Sequence, residues 1–356
     1  MSSVEIMKLI QGNVLSLKPY HVESTDCEIK LHANENPFPP SKELLELFSS
    51  SLQKLQLNRY PDPDSRALKD SIAHRLGIET KHLVIGNGSD EIILFLLQVF
   101  CQKGDTITFP DPTFSMYSII AQGLGIKSVS ISLDNHWDFS ADVILQSAEE
   151  NNSKIIFLSY PNNPTGNCFS DTQVQKVIDN FQGIVVIDEA YHDFSRKSFV
   201  NQIKEHNNLI VLRSLSKIGL AALRVGFGVA DPLVISEINK VRLPYNSNTI
   251  SQAFAENLIT NFEAVQAQID SILDERHRLL GELHKIESVT AFPSDSNFIL
   301  FKTKQPAGSI FAFLSKNGIL VRNLSSHPKL INCLRVTVGT KSENDRFLSK
   351  LKDFKN

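Results

Sequence analysis

The sequence predicts an α/β protein, with a mostly parallel central sheet in a larger unit followed by a smaller α+β unit. Between residues 80 and 230, short runs rich in β-branched residues recur at 82–85, 106–109, 128–133, 154–159, 183–188, 209–212 and 226–230, separated by helical or polar stretches. Several of these runs are apolar throughout, as befits strands covered by helices on both faces. Strand and helix alternating in this way give a parallel sheet. After Pro244 the pattern changes. A long helical stretch over 249–286, broken by no proline, precedes strand-like 297–302, helical 309–316, strand-like 319–322 and 334–338, and a charged final helix.

Taken in order, the first forty or so residues contain Leu31-His32-Ala33-Asn34-Glu35-Asn36-Pro37 and Pro39-Pro40, which do not suit a helix. They predict an extended arm packed on the small unit. The segments 90–102 and 171–180 read as helices, each with an Asp where an N-cap is wanted. The organisation expected is an arm over 1–45, a large domain over 46–245 and a small domain over 246–356. There is no internal repeat and no low-complexity linker.

The bulk properties narrow the function by exclusion. At 356 residues the chain is too long for one small core. Its net charge of −3 and the lack of a basic block argue against nucleic acid or an anionic membrane as partner. The four cysteines, Cys27, Cys101, Cys168 and Cys333, are scattered without a C-x-x-C, so reduced thiols in the cytoplasm are the simplest account. Residues 1–10 lack the apolar core of a signal peptide, and the apolar run 92–101 is far short of the ~20 residues that span a bilayer. No histidine has H-E-x-x-H spacing, and no metal is expected.

The chemistry concentrates in a few strings. Lys217 follows a strand and a short polar turn in Arg213-Ser214-Leu215-Ser216-Lys217, a place where a lysine is ordinarily a solvated surface residue. Asp188 ends the apolar run 183–187, where an acid commonly caps the next turn, and Tyr191 follows three residues later. Asn163 lies in Tyr160-Pro161-Asn162-Asn163-Pro164-Thr165-Gly166, a turn enforced by Pro and Gly at the ligand-binding edge of a sheet. Gly86-Asn87-Gly88-Ser89-Asp90 joins a strand to a helix and lets backbone amides approach an anion at the helix N-terminus. The third glycine of a dinucleotide fingerprint is missing, since position 91 is Glu, and Gly226-Phe227-Gly228 fails the same test at Asp231. Arg224 offers a charge-assisted fork for a phosphate. Arg335, inside the strand 334–338, needs an anionic partner, either a structural carboxylate or a ligand. Together these supply an imine-forming amine, an acid, two hydrogen-bond donors and an anion-binding group, the set with which a protein holds and uses pyridoxal 5'-phosphate.

On these strings, from about Tyr20 to the C-terminus, the chain resembles the fold-type I aminotransferases, and most closely the histidinol-phosphate aminotransferase family. The resemblance implies a fold-type I transferase with pyridoxal 5'-phosphate held as an imine on Lys217. Asp188 would pair with the pyridine nitrogen, and Tyr191 and Asn163 would reach the phenolic oxygen. Phe114, two residues after Pro112, would stack on the ring. Ser89, Asp90, Ser214, Ser216 and Arg224 would hold the phosphate, joined by Tyr60 from the partner subunit of a homodimer. Arg335 would grip a substrate carboxylate, with Arg322, Tyr20 and Asn34 near the substrate. Two departures stand out: Lys217 and Arg224 are seven residues apart rather than the commoner eight, and His32 replaces the family's usual Asn.

The activity implied is amino transfer from histidinol phosphate to 2-oxoglutarate, giving imidazole-acetol phosphate and glutamate in histidine biosynthesis, with ping-pong kinetics and Lys217 as the base. An aromatic amino acid aminotransferase or a threonine-phosphate decarboxylase would share most of the motifs. A non-catalytic ligand-sensing domain on the same scaffold is the alternative of a different class, and a nicotinamide oxidoreductase is disfavoured by the failed glycine fingerprint.

Overall fold

The computed structural model describes residues 3–19 and 25–354, and every count below refers to these. Strand β1 (Ile29–Lys30) lies in the N-terminal segment. The next seven strands form one sheet: β2 (Leu83–Asn87), β3 (Thr106–Asp111), β4 (Lys127–Ser132), β5 (Ser153–Ser159), β6 (Ile184–Asp188), β7 (Leu209–Ser214) and β8 (Val225–Val229). Their spatial order is β2-β8-β7-β6-β5-β3-β4. Pairing is parallel from β7 across to β4, and β8 alone runs against both its neighbours.

The apolar runs have a direct structural cause. Ile155 and Phe157 of β5 pack into a core with the helices Ser89–Phe100 and Pro232–Val241. Their neighbours Ile156 and Leu158 point to the opposite core, with helices Ala141–Glu150 and Asp171–Asn180. Successive residues therefore meet different helical layers, and neither face is free to be polar.

A second, antiparallel sheet is built from β9 (Val289–Ala291), β10 (Phe298–Thr303), and, after the separate β11 (Ile319–Leu320), β12 (Arg322–Asn323) and β13 (Cys333–Thr337). Strand β11 instead pairs in parallel with β1, so the segment after residue 25 does lie against the smaller unit. None of the helices is long and apolar enough to cross a membrane.

Four expectations need correction. The N-terminal segment is not extended throughout, since Ser3–Met7 and Gly12–Leu15 are short helices. The Asn13 amide donates to the carbonyls of Gln122 and Gly123, which attaches that part to the large sheet's helical layer. The stretch 249–286 is two helices, Thr249–Thr260 and Glu263–His284. Asn261 closes the first, turning its side chain back to the Asn257 carbonyl, and Phe262 drops into the core; an Asn that bonds backbone locally ends a helix without proline. Asp90 and Asp171 are not N-caps, because Gly88 and Ser170 hold those positions. Both acids sit in the first turn, where the helix dipole favours them. Finally, the stretch 319–322 divides between two sheets.

The reversed strand β8 fixes the geometry of the sheet's carboxyl edge. Gly86 of β2 lies opposite Gly226 of β8, and a Cβ on Gly226 would fall 2.5 Å from both the Gly88 carbonyl carbon and the Ser89 nitrogen. The Gly88–Ser89 peptide thus rests directly on β8. Gly226→Ala should force these backbones apart and cost about 1–3 kcal/mol, the usual penalty for overpacking. Chemical denaturation with the midpoint unchanged from wild type would refute this contact.

Candidate active site

Five segments leave the carboxyl ends of parallel strands and converge on one cavity of about 480 Å³. They are the turns after β2, β3, β5, β6 and β7, which bring Ser89, Phe114, Asn163, Tyr191 and Lys217 to its walls. This edge is where an open α/β sheet gathers ligands. Because β8 runs the other way, its first residues lie at the same edge, and Arg224, immediately before Val225, enters the cavity beside the β2 turn.

At one end these groups form a cationic cup. Gly88 has φ +77, and a Cβ there would lie 2.7 Å from Arg224 Nη2. Arg224, itself left-handed at φ +54, donates to Ser216 Oγ at 3.3 Å and to Asp90 Oδ2 at 3.1 Å. Ser214 Oγ accepts from the Ser216 backbone N–H. The first amides of helix Ser89–Phe100 start here, so helix terminus, hydroxyls and guanidinium face one small volume. The shortened interval after Lys217 is taken up by two 3-10 turns, Leu215–Ile218 and Ala221–Leu223.

At the floor of the cavity Asp188 is 3% exposed. Its Oδ2 accepts from the Tyr117 hydroxyl at 2.8 Å and its Oδ1 from the Ala190 N–H at 3.1 Å. Burial pushes its carboxyl up to about 6, against the lowering pull of the two hydrogen bonds. The same burial, with Asp188 alongside, holds the Tyr117 phenol well above its ordinary value.

Lys217 is half-buried, with Nζ 5.7 Å from the Tyr191 ring centre and 3.5 Å from the Ala33 carbonyl. The Tyr191 hydroxyl accepts from Asn34 Nδ2 at 2.9 Å and from Asn163 Nδ2 at 3.3 Å. Two amides thus leave that hydroxyl proton free to point elsewhere.

The far end is again cationic. Arg322 and Arg335 lie directly opposite one another on β12 and β13, so both side chains leave the same face of the small sheet, and both line the cavity. Arg335 is nearly buried, donating to Asn163 Oδ1 at 2.5 Å and to the His32 carbonyl at 2.7 Å.

Of the residues singled out in the sequence, Lys217, Asp188, Tyr191, Ser89, Asp90, Phe114, Asn163, Ser214, Ser216, Arg224, Arg335, Arg322 and Asn34 all line this cavity. Asn34 does so with its amide on Tyr191. Tyr60 is not among the lining residues; it is 81% exposed and stacks on Tyr245 at 4.6 Å. Tyr20 lies outside the described residues. Sequence reasoning missed Tyr117, whose one signal was a phenol in a largely apolar helix three residues after Phe114. It also missed His327, which like the other histidines read as an ordinary surface or core residue. No His, Cys, Asp and Glu grouping among the described residues suits a metal ion.

The donor set fits pyridoxal 5'-phosphate. The glycine-lined cup suits a phosphate, the buried acid a ring nitrogen that can carry a proton, Tyr191 and Asn163 a phenolic oxygen, and the amine a carbonyl carbon.

Comparison with known proteins agrees. Residues 27–351 match the family model described as aminotransferase class I and II. A curated relative from Nitrosococcus oceani, named histidinol-phosphate aminotransferase 2, is 38% identical over 355 residues and 99% of both chains. One from Aquifex aeolicus, named histidinol-phosphate aminotransferase, is 39% identical over 346 residues, 97% of this chain and 98% of its own. The crystal structure of histidinol-phosphate aminotransferase from Sinorhizobium meliloti in complex with pyridoxal-5'-phosphate superposes with a TM-score of 0.88 at 20% identity, covering 97% of this chain and 96% of that one. The fold-type I architecture is shared throughout.

The buried acid makes stability depend on pH in a defined direction. Burial lifts the Asp188 carboxyl from about 3.8 in the unfolded chain to about 6 in the folded one. Between those values the folded state binds the extra proton, so this residue's contribution falls as pH rises from about 4 to about 6. In the cofactor-free protein, Asp188→Asn should therefore gain stability over wild type by roughly 2–3 kcal/mol more at pH 7.5 than at pH 3.5. Melting curves that shift equally at both pH values would count against a buried, unfavourably ionised carboxylate.

Proposed function

Because the chain belongs to the class I and II aminotransferase family, we propose that it binds pyridoxal 5'-phosphate and transfers the amino group of histidinol phosphate to 2-oxoglutarate, yielding imidazole-acetol phosphate and glutamate. The supporting observation is the pair Arg322 and Arg335, a second cationic end distinct from the Arg224 cup. A pocket that already seats one phosphate gains from a second cationic pair only if its substrates are anionic as well. The phosphate of the donor and the carboxylates of the acceptor meet that requirement, and planar guanidinium forks suit both.

When bound, pyridoxal 5'-phosphate supplies a carrier for the amino group and a ring that accepts the electrons left at the donor carbon. The chain's residues do the rest. Lys217, the one lysine lining the cavity among the described residues, moves the proton at the donor carbon. Asp188, buried and costly to ionise alone, holds a proton on a ring nitrogen, since a cation beside it restores its charged form. Tyr191, fixed by Asn34 and Asn163, donates to the phenolic oxygen. Phe114, edge-on to Tyr117 at 5.5 Å, packs on the ring. Ser89, Asp90, Ser214, Ser216 and Arg224 hold the phosphate through amides, hydroxyls and charge.

The enzyme works as a cytoplasmic homodimer in this reading, within histidine biosynthesis. Tyr60 completes the partner's phosphate cup; its exposed ring, braced by Tyr245, is suited to reach outward. Complementation tests this. Lys217→Ala and Tyr60→Ala chains, each inactive alone, should together recover about a quarter of wild-type activity, the share of sites that random pairing leaves intact. Confirmed mixed dimers without recovery would remove Tyr60 from the site.

Substrate choice is tested on Arg322. The purified holoenzyme should turn over histidinol phosphate with 2-oxoglutarate in preference to phenylalanine or tyrosine. Arg322→Ala should weaken kcat/KM for the phosphorylated donor by roughly 10- to 100-fold, the worth of a lost charged hydrogen bond, and barely affect an aromatic amino acid. Equal losses would indicate an aromatic aminotransferase. Carbon dioxide released from an O-phosphorylated amino acid without any oxo acid would indicate a decarboxylase.

A further inference from the structure

The cavity wall facing the sheet's edge is a loop of the smaller unit, residues 324–330, to which no role has been given. Leu324, Ser326, His327 and Leu330 line the cavity. Both ring nitrogens of His327 are engaged within the protein. Nδ1 accepts from the Lys329 backbone N–H at 3.2 Å, which leaves the proton on Nε2, aimed at the Asp111 oxygens at 3.0 and 3.2 Å. A ring so occupied has no nitrogen to offer a substrate, so it acts through what it holds.

What it holds is the opposite wall. Asp111 is the last residue of β3, and Pro112 to Ser115, including Phe114, follow it into the cavity. A second tie lies alongside, from Lys329 Nζ to the Leu133 carbonyl just past β4. Leu330 and Leu324 pack in a small cluster with Trp137, Phe292, Leu300 and Cys333. On the other side the loop continues directly from Arg322 and Asn323 of β12. One short segment therefore links the anion-reading arginine to the wall carrying Phe114.

We propose that His327 and Asp111 form a clasp that sets the span of the substrate pocket, making His327 a positioning residue for the anionic end of both substrates. This rests on the reading that Arg322 and Arg335 receive substrate anions. Both partners are about one-third exposed, with side-chain exposures of 30% and 33%. Hydrogen-bonded pairs so exposed add little to fold stability. Losing the pair should therefore show in geometry rather than in melting temperature.

The test uses the full-length holoenzyme with His327→Phe, Asp111→Asn and the double variant. Each single change should raise KM for 2-oxoglutarate and for the donor about tenfold, the order expected when a binding group is misplaced, with kcat within about twofold. Because the two residues act as one unit, the double variant should be no worse than the poorer single. His327→Gln, whose amide can still donate to Asp111, should recover most of the loss. Amide exchange, which needs no substrate, gives the independent readout: His327→Phe should speed exchange at 113–115, in the segment that follows its hydrogen-bond partner Asp111. Multiplying single effects, a loss confined to kcat, or unchanged exchange at 113–115 would each overturn the clasp. Wild-type protein that fails to use histidinol phosphate would defeat the functional reading alone, since the exchange result would still decide this one.

Discussion

The contact between Gly86 and Gly226 governs the rest of the site. Six strands running one way would place only their own trailing turns at the carboxyl edge. Reversing β8 brings a strand's beginning to the same edge, and with it Arg224. That arrangement works only if the Gly88–Ser89 peptide can lie on β8, where a single Cβ would collide at 2.5 Å. Gly226 answers to that close approach, whereas Gly88 makes room for Arg224, and Gly86 and Gly228 make room for Ile92, so packing rather than a nucleotide fingerprint accounts for the glycines. The helix amides, the two serines and the guanidinium all take their positions from that close approach.

The charges are distributed in tension with the fold. Positive groups stand at both ends of the cavity, Arg224 at one and Arg322 with Arg335 at the other, while Asp188 lies at the floor. Burial raises the Asp188 carboxyl to about 6, so by itself the acid resists ionisation where it stands. Such a group is a poor device for stability, and in the proposed function it is a good one for selecting a cationic ring nitrogen. Tyr117 and the Ala190 amide hold the carboxylate in place in the meantime.

Much of this was legible in the sequence, for identifiable reasons. The inner strands of the large sheet announced themselves because a strand covered on both faces must be apolar throughout, as Ile155 to Leu158 illustrate; the exposed edge strand β4 showed itself instead by alternating valine and isoleucine with serine. The cup and the floor were legible because turns after strands carry residues whose types are dictated by the ligand's chemistry. Other features depend on partners distant in sequence. Within 249–286 the one local sign of a break is Asn261; Phe262 depends on a distant partner, since Arg75 lies over its ring at 3.5 Å. Nothing local tells that Tyr117 reaches Asp188 across 71 positions, or that His327 reaches Asp111 across 216. The apparent N-cap acids misled because Asp90 is used by Arg224, and Asp171 by Tyr160 and Lys197.

The segment around His32 shows how a departure from a family pattern is absorbed. Residues 31–34 thread between the two sheets: the Leu31 N–H donates to Leu320, and the Leu31 carbonyl accepts from the Thr337 N–H. The His32 carbonyl accepts from Arg335, the Ala33 carbonyl lies near Lys217, and the Asn34 side chain holds Tyr191. At position 32 the contact to Arg335 is made by the main chain, while the residue also lines the cavity. At position 34, buried at φ +57, the contact to the Tyr191 hydroxyl is made by the side-chain amide. An asparagine tolerates that backbone and reaches both Thr337 and Tyr191. The same short thread thus meets the site by main chain at 32 and 33 and by side chain at 34, with His32 itself on the cavity wall.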